Sequence, residues 1–171
     1  MRLCIKPSFA IALVSLLALA SSFGFATENN SVRADVNVVR SLYAEFADEA
    51  VLENPETQKP LLDQSRAVLL RYFTSELSAH ILRDRECAAR TQEICNLDFS
   101  PIWDSQDPTG ATVKMTGESA LGKVHATVSY PNGEKRELVF RLTKTSVGWK
   151  IADIIYSGDR KTLSQILRPK G

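Results

Sequence analysis

Between Arg85 and Pro108 the apolar residues of this chain stop recurring at helical spacing and begin to alternate, a change of period that limits the fold more than any other feature. Everything before it reads as helix and everything after it as strand. A block of helices followed by a block of strands implies an α+β domain, with helices covering one side of an antiparallel sheet. The seam itself holds Cys87 and Cys95 and the densest mixture of acids and aromatics in the chain.

On the N-terminal side, Asp35 is placed to cap a first helix in which Val39, Tyr43, Phe46 and Ala50 form one stripe, with Leu42 beside them. Asn54-Pro55 bounds it, because proline disfavours helix at the preceding residue. A second helix is expected from Asp63 or Gln64 through Phe73, with Ala67, Leu70 and Phe73 aligned and Leu69 flanking them. Thr74 then offers a new N-cap and Glu76 an acid in the first turn, where the helix dipole favours it. A third helix carrying Leu77 and Ile81 therefore starts there.

Beyond Pro108-Thr109-Gly110 strict alternation takes over. Val113 and Met115 share a face of one strand, Val124, Ala126, Val128 and Tyr130 of a second, and Leu138, Phe140 and Leu142 of a third. The loop between the last two decides their register. A two-residue Asn132-Gly133 loop would pair Tyr130 with Lys135 and put the two apolar sets on opposite faces. A three-residue loop, Pro131-Asn132-Gly133, pairs Tyr130 with Glu134 and sets Ala126 against Leu138 and Val124 against Phe140. The second solution buries one face. A fourth strand runs from Trp149 to Tyr156 after the Ser146-Val147-Gly148 turn, and Leu163, Ile166 and Leu167 mark a short terminal helix.

The first 26 residues have the parts of a secretory signal: Arg2 and Lys6, an apolar run from Phe9 to Ala20, and Gly24-Phe25-Ala26 before the cut. Cleavage after Ala26 leaves 145 residues, read as a loose polar segment at 27–34 and a single domain at 35–168. The apolar run of 12 residues falls short of a bilayer span, so no stable membrane segment is expected after cleavage. Loss of Arg2 and Lys6 turns a formal charge of +1 into −1. A chain so nearly neutral has no dominant positive field for nucleic acid or an anionic membrane.

Of three cysteines, Cys4 leaves with the leader. The remaining pair, Cys87 and Cys95, suits a disulfide in a periplasmic or secreted protein. Seven intervening residues match neither short zinc-ligand spacings nor a thioredoxin-like Cys-x-x-Cys. Eight residues of straight helix advance about 12 Å, whereas bridged Cα atoms lie within about 7 Å. The third helix must therefore stop, and the chain turn back between Ala89 and Ile94.

The ending Gly148-Trp149-Lys150-Ile151-Ala152-Asp153-Ile154 after the long hairpin resembles the last strand of the nuclear transport factor 2-like, cystatin-like superfamily. The early Leu42-Tyr43 helix and the break at Tyr72-Phe73-Thr74-Ser75-Glu76-Leu77 are similar to exported bacterial members of unknown function. The resemblance covers most of the mature chain. It implies N-terminal helices packed on a curved four-stranded meander, and it implies no particular activity, since that superfamily hosts isomerases, dehydratases and pure binding modules.

Candidate ligand-binding residues cluster in the seam: Asp104, Gln106 and Asp107 as a polar floor, Phe99 and Trp103 as apolar walls. Asp98, Asp104 and Asp153 are the candidate catalytic acids, because a carboxyl desolvated beside a charged one can work near neutral pH. The plainer reading gives the seam aspartates to turns and helix starts around Pro101 and Pro108. Asp153 either alternates inward with Trp149, Ile151 and Ile155 or lies in solvent opposite Ala152, Ile154 and Tyr156.

His80 and His125 are expected at the surface without acidic partners. No cofactor or metal is expected: there is no Gly-rich phosphate loop, no Gly-x-Ser-x-Gly turn and no calcium-loop pattern. The leading expectation is an exported, non-enzymatic domain that binds a small molecule or a protein partner. The alternative is a small pocket enzyme of isomerase, dehydratase or hydrolase type. A third reading is a structural or assembly protein, for which Val139 would supply exposed apolar surface on the sheet, and a homodimer is left open.

Overall fold

The computed structural model describes residues 26–51, 59–116, 122–158 and 161–168, with the side chains of 26–35 and of Thr116 excepted. Of the expected signal peptide, residues 1–25 lie outside the described residues.

The first helix, α1 (Ala26–Glu45), buries Val39, Leu42 and Tyr43 at helical spacing, and a 3₁₀ turn at Ala47–Ala50 follows it. Asp35 falls inside α1 rather than at its cap, and the backbone of 27–34, expected to be loose, is helical. No glycine or proline stands between Ala26 and Glu45 to stop a helix that tertiary packing holds from its C-terminal half. The second helix, α2 (Arg66–Tyr72), starts later than expected, because Leu61–Asp63 forms a 3₁₀ turn and Ser65 caps the helix through its hydroxyl. The third, α3 (Ser75–Thr91), begins as the sequence indicates: Thr74 Oγ1 accepts from the Leu77 amide at 3.2 Å.

The break between α2 and α3 has a tertiary partner. Phe73 bridges in parallel to Ile151, the Thr74 amide donates to the Ile151 carbonyl at 3.0 Å, and Lys150 Nζ caps the end of α2 at the carbonyls of Leu70 and Arg71. These bonds cover an otherwise open sheet edge.

Four antiparallel strands form a meander in the order β1 (Thr112–Thr116), β2 (Lys123–Ser129), β3 (Lys135–Thr145) and β4 (Gly148–Tyr156). Ala126 pairs with Leu138 and Val124 with Phe140, the register that a three-residue loop requires, and Gly133 adopts φ +86° in that loop. Helix α1 packs on β2 and β4, and Val124, Ala126, Val128, Leu138, Phe140 and Leu142 are buried on one face while Lys123, His125, Glu137 and Arg141 are exposed on the other. A short helix, α4 (Leu163–Ile166), closes against β4.

A β-bulge between β3 and β4 resolves the phase of Asp153. Leu142 pairs with Ile151 but Arg141 pairs with Asp153, so Ala152 has no counterpart across the ladder. The extra residue lets both Ile151 and Ile154 reach the core, and both are fully buried. Asp153 is therefore on the face away from the core, yet 1% exposed, because α4 sits over it. Neither of the two expected phases holds along the whole strand.

Helix α3 ends at Thr91, Gln92 turns left-handed at φ +57°, and Cys87 and Cys95 form a disulfide with Cα atoms 6.1 Å apart. The buried Asp84 carboxylate accepts from both nitrogens of Asn96, at 3.0 and 2.7 Å, and from the Leu97 amide at 3.2 Å. Among the described residues, no helix is long and apolar enough to cross a membrane.

Candidate functional site

The chain from Leu97 to Ala111 has no strand or helix of its own, but its middle is core: Ile102 is fully buried and Trp103 is 3% exposed. A buried loop must find partners for its backbone carbonyls. Four consecutive carbonyls do so through side chains from four different segments. Tyr156 donates to Pro101 at 3.2 Å, Tyr43 to Ile102 at 2.5 Å, Tyr130 to Trp103 and Arg136 to Asp104. Burial, the largest influence on both Tyr43 and Tyr130, pushes their phenols up, so both remain donors at ordinary pH. Ser100 and Ser105 close the loop with a backbone bridge, Asp104 sits at φ +55°, and Arg136 approaches its carboxylate to 3.8 Å.

Against this anchored loop lies a cleft of about 450 Å³, the size of ordinary small-molecule sites. One wall comes from Asp48, Glu49 and Val51 after α1, and from Pro60 and Leu62 before α2. The other comes from Leu97, Asp98, Phe99 and Ser100 and from Gln106 to Thr109. Glu49 ties the walls together: its carboxylate accepts from the Leu61 amide at 2.7 Å and from Ser100 Oγ at 2.6 Å. Desolvation raises the Glu49 pKa above its usual range, and the two hydrogen bonds oppose that rise. The indole N–H of Trp103 also draws it down, although Nε1 forms no hydrogen bond among the described residues.

The expected site residues divide. Phe99, Gln106 and Asp107 line this cleft, together with Asp98, whose carboxylate accepts from Gln106 Nε2 at 2.9 Å. Trp103 and Asp104 do not line it. Trp103 belongs to the core, and Asp104 borders a second depression of about 480 Å³, which it lines together with Phe99, Gln106, Asp107, Asp98 and Arg136. Asp107 turns the chain before Pro108: the hydroxyl and amide of Thr109 hold its carboxyl below the usual range, the amide donating at 3.0 Å.

Asp153 is remote from both clefts. It accepts from Ser164 N and Oγ at 2.9 and 2.8 Å, from Ile154 N at 3.0 Å and from Arg141 Nη2 at 2.8 Å, which spends its acceptor capacity on docking α4. His125 is exposed as expected, whereas His80 is half-buried and its Nδ1 has no hydrogen-bond partner among the described residues. Glu49 escaped the sequence reading, since its partner Ser100 lies 51 residues away. Its one local signal was its place beside Ala50, the last member of the first apolar stripe. Among the described residues, no three His, Cys, Asp or Glu side chains converge to hold a metal ion.

No family model matches the chain, and no curated protein matches it. Among solved structures it is similar to a phospholipid-binding protein from Ralstonia solanacearum, determined in complex with a phospholipid. The identity is 18%, over 82% of this chain and 72% of that one, with a TM-score of 0.34. A likeness of that size carries neither a fold assignment nor a ligand across.

Proposed function

We propose that this is an exported, non-enzymatic binding domain of nuclear transport factor 2-like, cystatin-like architecture, and that the cleft between Glu49 and Asp107 takes a small ligand. The cleft carries the reading: it is large enough for a small molecule, it mixes apolar walls with convergent polar groups, and its far side is an anchored loop that needs no rearrangement to receive a guest. The leader-like N-terminus and the disulfide support export to the periplasm or beyond. The meander order and the helices packed on its buried face support the superfamily.

The acid/base alternative is less well supported. It asks for a carboxylate in an apolar cavity with a free partner group. Asp153 stands outside the clefts with its oxygens engaged, Asp98 is exposed and bonded to Gln106, and the buried Asp104 carboxylate has Arg136 beside it at 3.8 Å.

Native mass spectrometry of the protein recovered from its own compartment tests the reading. A small molecule released on denaturation is expected, and filling the cleft by Thr109→Trp should abolish its retention. A bare mass for the unaltered protein, or a co-purifying molecule that Thr109→Trp retains, would overturn the assignment to this cleft. A stoichiometric bound protein would move it to a partner-binding domain.

A further inference from the structure

The walls of the cleft also indicate which ligands fit, an inference that rests on the binding reading above. Among the described residues four acids line it, Asp48, Glu49, Asp98 and Asp107, and no lysine, arginine or histidine does. The remaining surface is Val51, Pro60, Leu62, Leu97, Phe99 and Pro108, with Ser100, Gln106 and Thr109 between. The buried indole of Trp103 is outside the lining, and its N–H lowers the Glu49 pKa.

We infer that the cleft is a site for an organic cation, a protonated amine or quaternary ammonium group carried on an apolar body of a few carbons. Anions are disfavoured because, among the described residues, every formal charge on the walls is negative, and like charges at close range repel. A metal ion is disfavoured for a geometric reason: the carboxylates are spread around the cleft instead of converging, and no three metal-ligating side chains meet among the described residues. Dispersed carboxylates above apolar walls suit a bulky, weakly hydrated cation whose body replaces water along those walls, and an aromatic ring at Phe99 adds attraction for the same charge. The hydroxyl and amide of Thr109 hold the Asp107 carboxyl below its usual range, which favours its charged form. Glu49, bonded to Leu61 and Ser100, sets the spacing of the two walls.

The probes are n-hexylammonium, n-hexanol, n-hexanoate and calcium, titrated separately into the disulfide-bonded mature chain and followed by amide chemical shifts and calorimetry. Hexylammonium is expected to bind at least about tenfold more tightly than hexanol or hexanoate, to shift Asp98, Phe99 and Gln106, and to weaken as salt rises. Asp98→Asn combined with Asp107→Asn, both exposed positions, should remove most of that preference while leaving the circular dichroism spectrum unchanged. Equal binding of hexanol or hexanoate at these residues would overturn the charge assignment and leave the binding domain standing. Calcium shifting the same amides at a lower concentration would overturn it in favour of a metal site. No shift of the cleft with hexylammonium would remove the organic cation altogether, whatever mass spectrometry of the native protein returns.

Discussion

Glu49 shows what burial does to a single side chain in this protein. Its pKa is raised in the folded state, so it contributes its full stability below the unfolded value and loses that contribution as pH rises through the folded one. Glutamine at this position can accept from the Leu61 amide and donate to Ser100 Oγ, keeping both bonds without the charge. Glu49→Gln is therefore expected to gain stability relative to the unaltered protein between about pH 4 and pH 8, read from urea midpoints at the two ends. Equal midpoint differences at both pH values would show that the carboxyl is not desolvated. Ser78 is a simpler case. Its hydroxyl is fully buried on α3 with no hydrogen-bond partner among the described residues. Ser78→Ala removes that polar group and improves helix propensity, and should raise stability by about 1 kcal/mol, seen as a higher denaturation midpoint at unchanged slope. Asp153 has the opposite character, being buried and completely bonded. Asp153→Asn turns one acceptor into a donor against Arg141 and should cost about 1–3 kcal/mol, together with faster amide exchange in α4.

Among the elements, the end of α3 and the β3–β4 ladder are the instructive pair. The left-handed Gln92, the Asp84 carboxylate and the disulfide all act on one return loop, which leads directly into the cleft wall at Leu97. Replacing both Cys87 and Cys95 by serine opens a nine-residue loop in the unfolded chain and is expected to cost about 2.5 kcal/mol in the chain-entropy model. The loss should appear in equilibrium denaturation while Asp84 keeps the native loop in place. An intact mass that changes by two hydrogens on reduction confirms the bridge. Both ends of α3 were legible because they rest on local chemistry, whereas the starts of α1 and α2 were not: Thr74 caps α3, and a disulfide at this spacing cannot form across straight helix. The bulge was not legible. Nothing in Ile151-Ala152-Asp153-Ile154 marks the extra residue, which exists because Ile151 and Ile154 both have core to fill on one side and α4 covers the other.

At the scale of the whole molecule, the seam loop is the part that joins helices to sheet. Its carbonyls are held by Tyr43 from α1, Arg136 from β3, Tyr156 from β4 and Tyr130 just beyond β2, so neither layer can separate without exposing buried backbone. Unfolding is accordingly expected as one transition, with the near-ultraviolet signal of Trp103 and the far-ultraviolet signal of the helices coinciding, and Tyr130→Phe should lower both midpoints together. Separate transitions would show that helices and sheet are independent units. The sequence alone determined the order of elements, the hairpin register and the cysteine pair. Each of these follows from interactions a few residues long or from an alternation that leaves a single buried face. It also pointed to the seam as the place for a ligand, and Phe99, Gln106 and Asp107 line the cleft found there. Only the tertiary structure decided that Trp103 and Asp104 lie beside the cleft instead of in its lining, that Asp153 docks a helix, and that Glu49 joins the site. Those outcomes depend on which distant segment covers a residue and which hydrogen-bond partner it brings, and no local pattern in the chain records either.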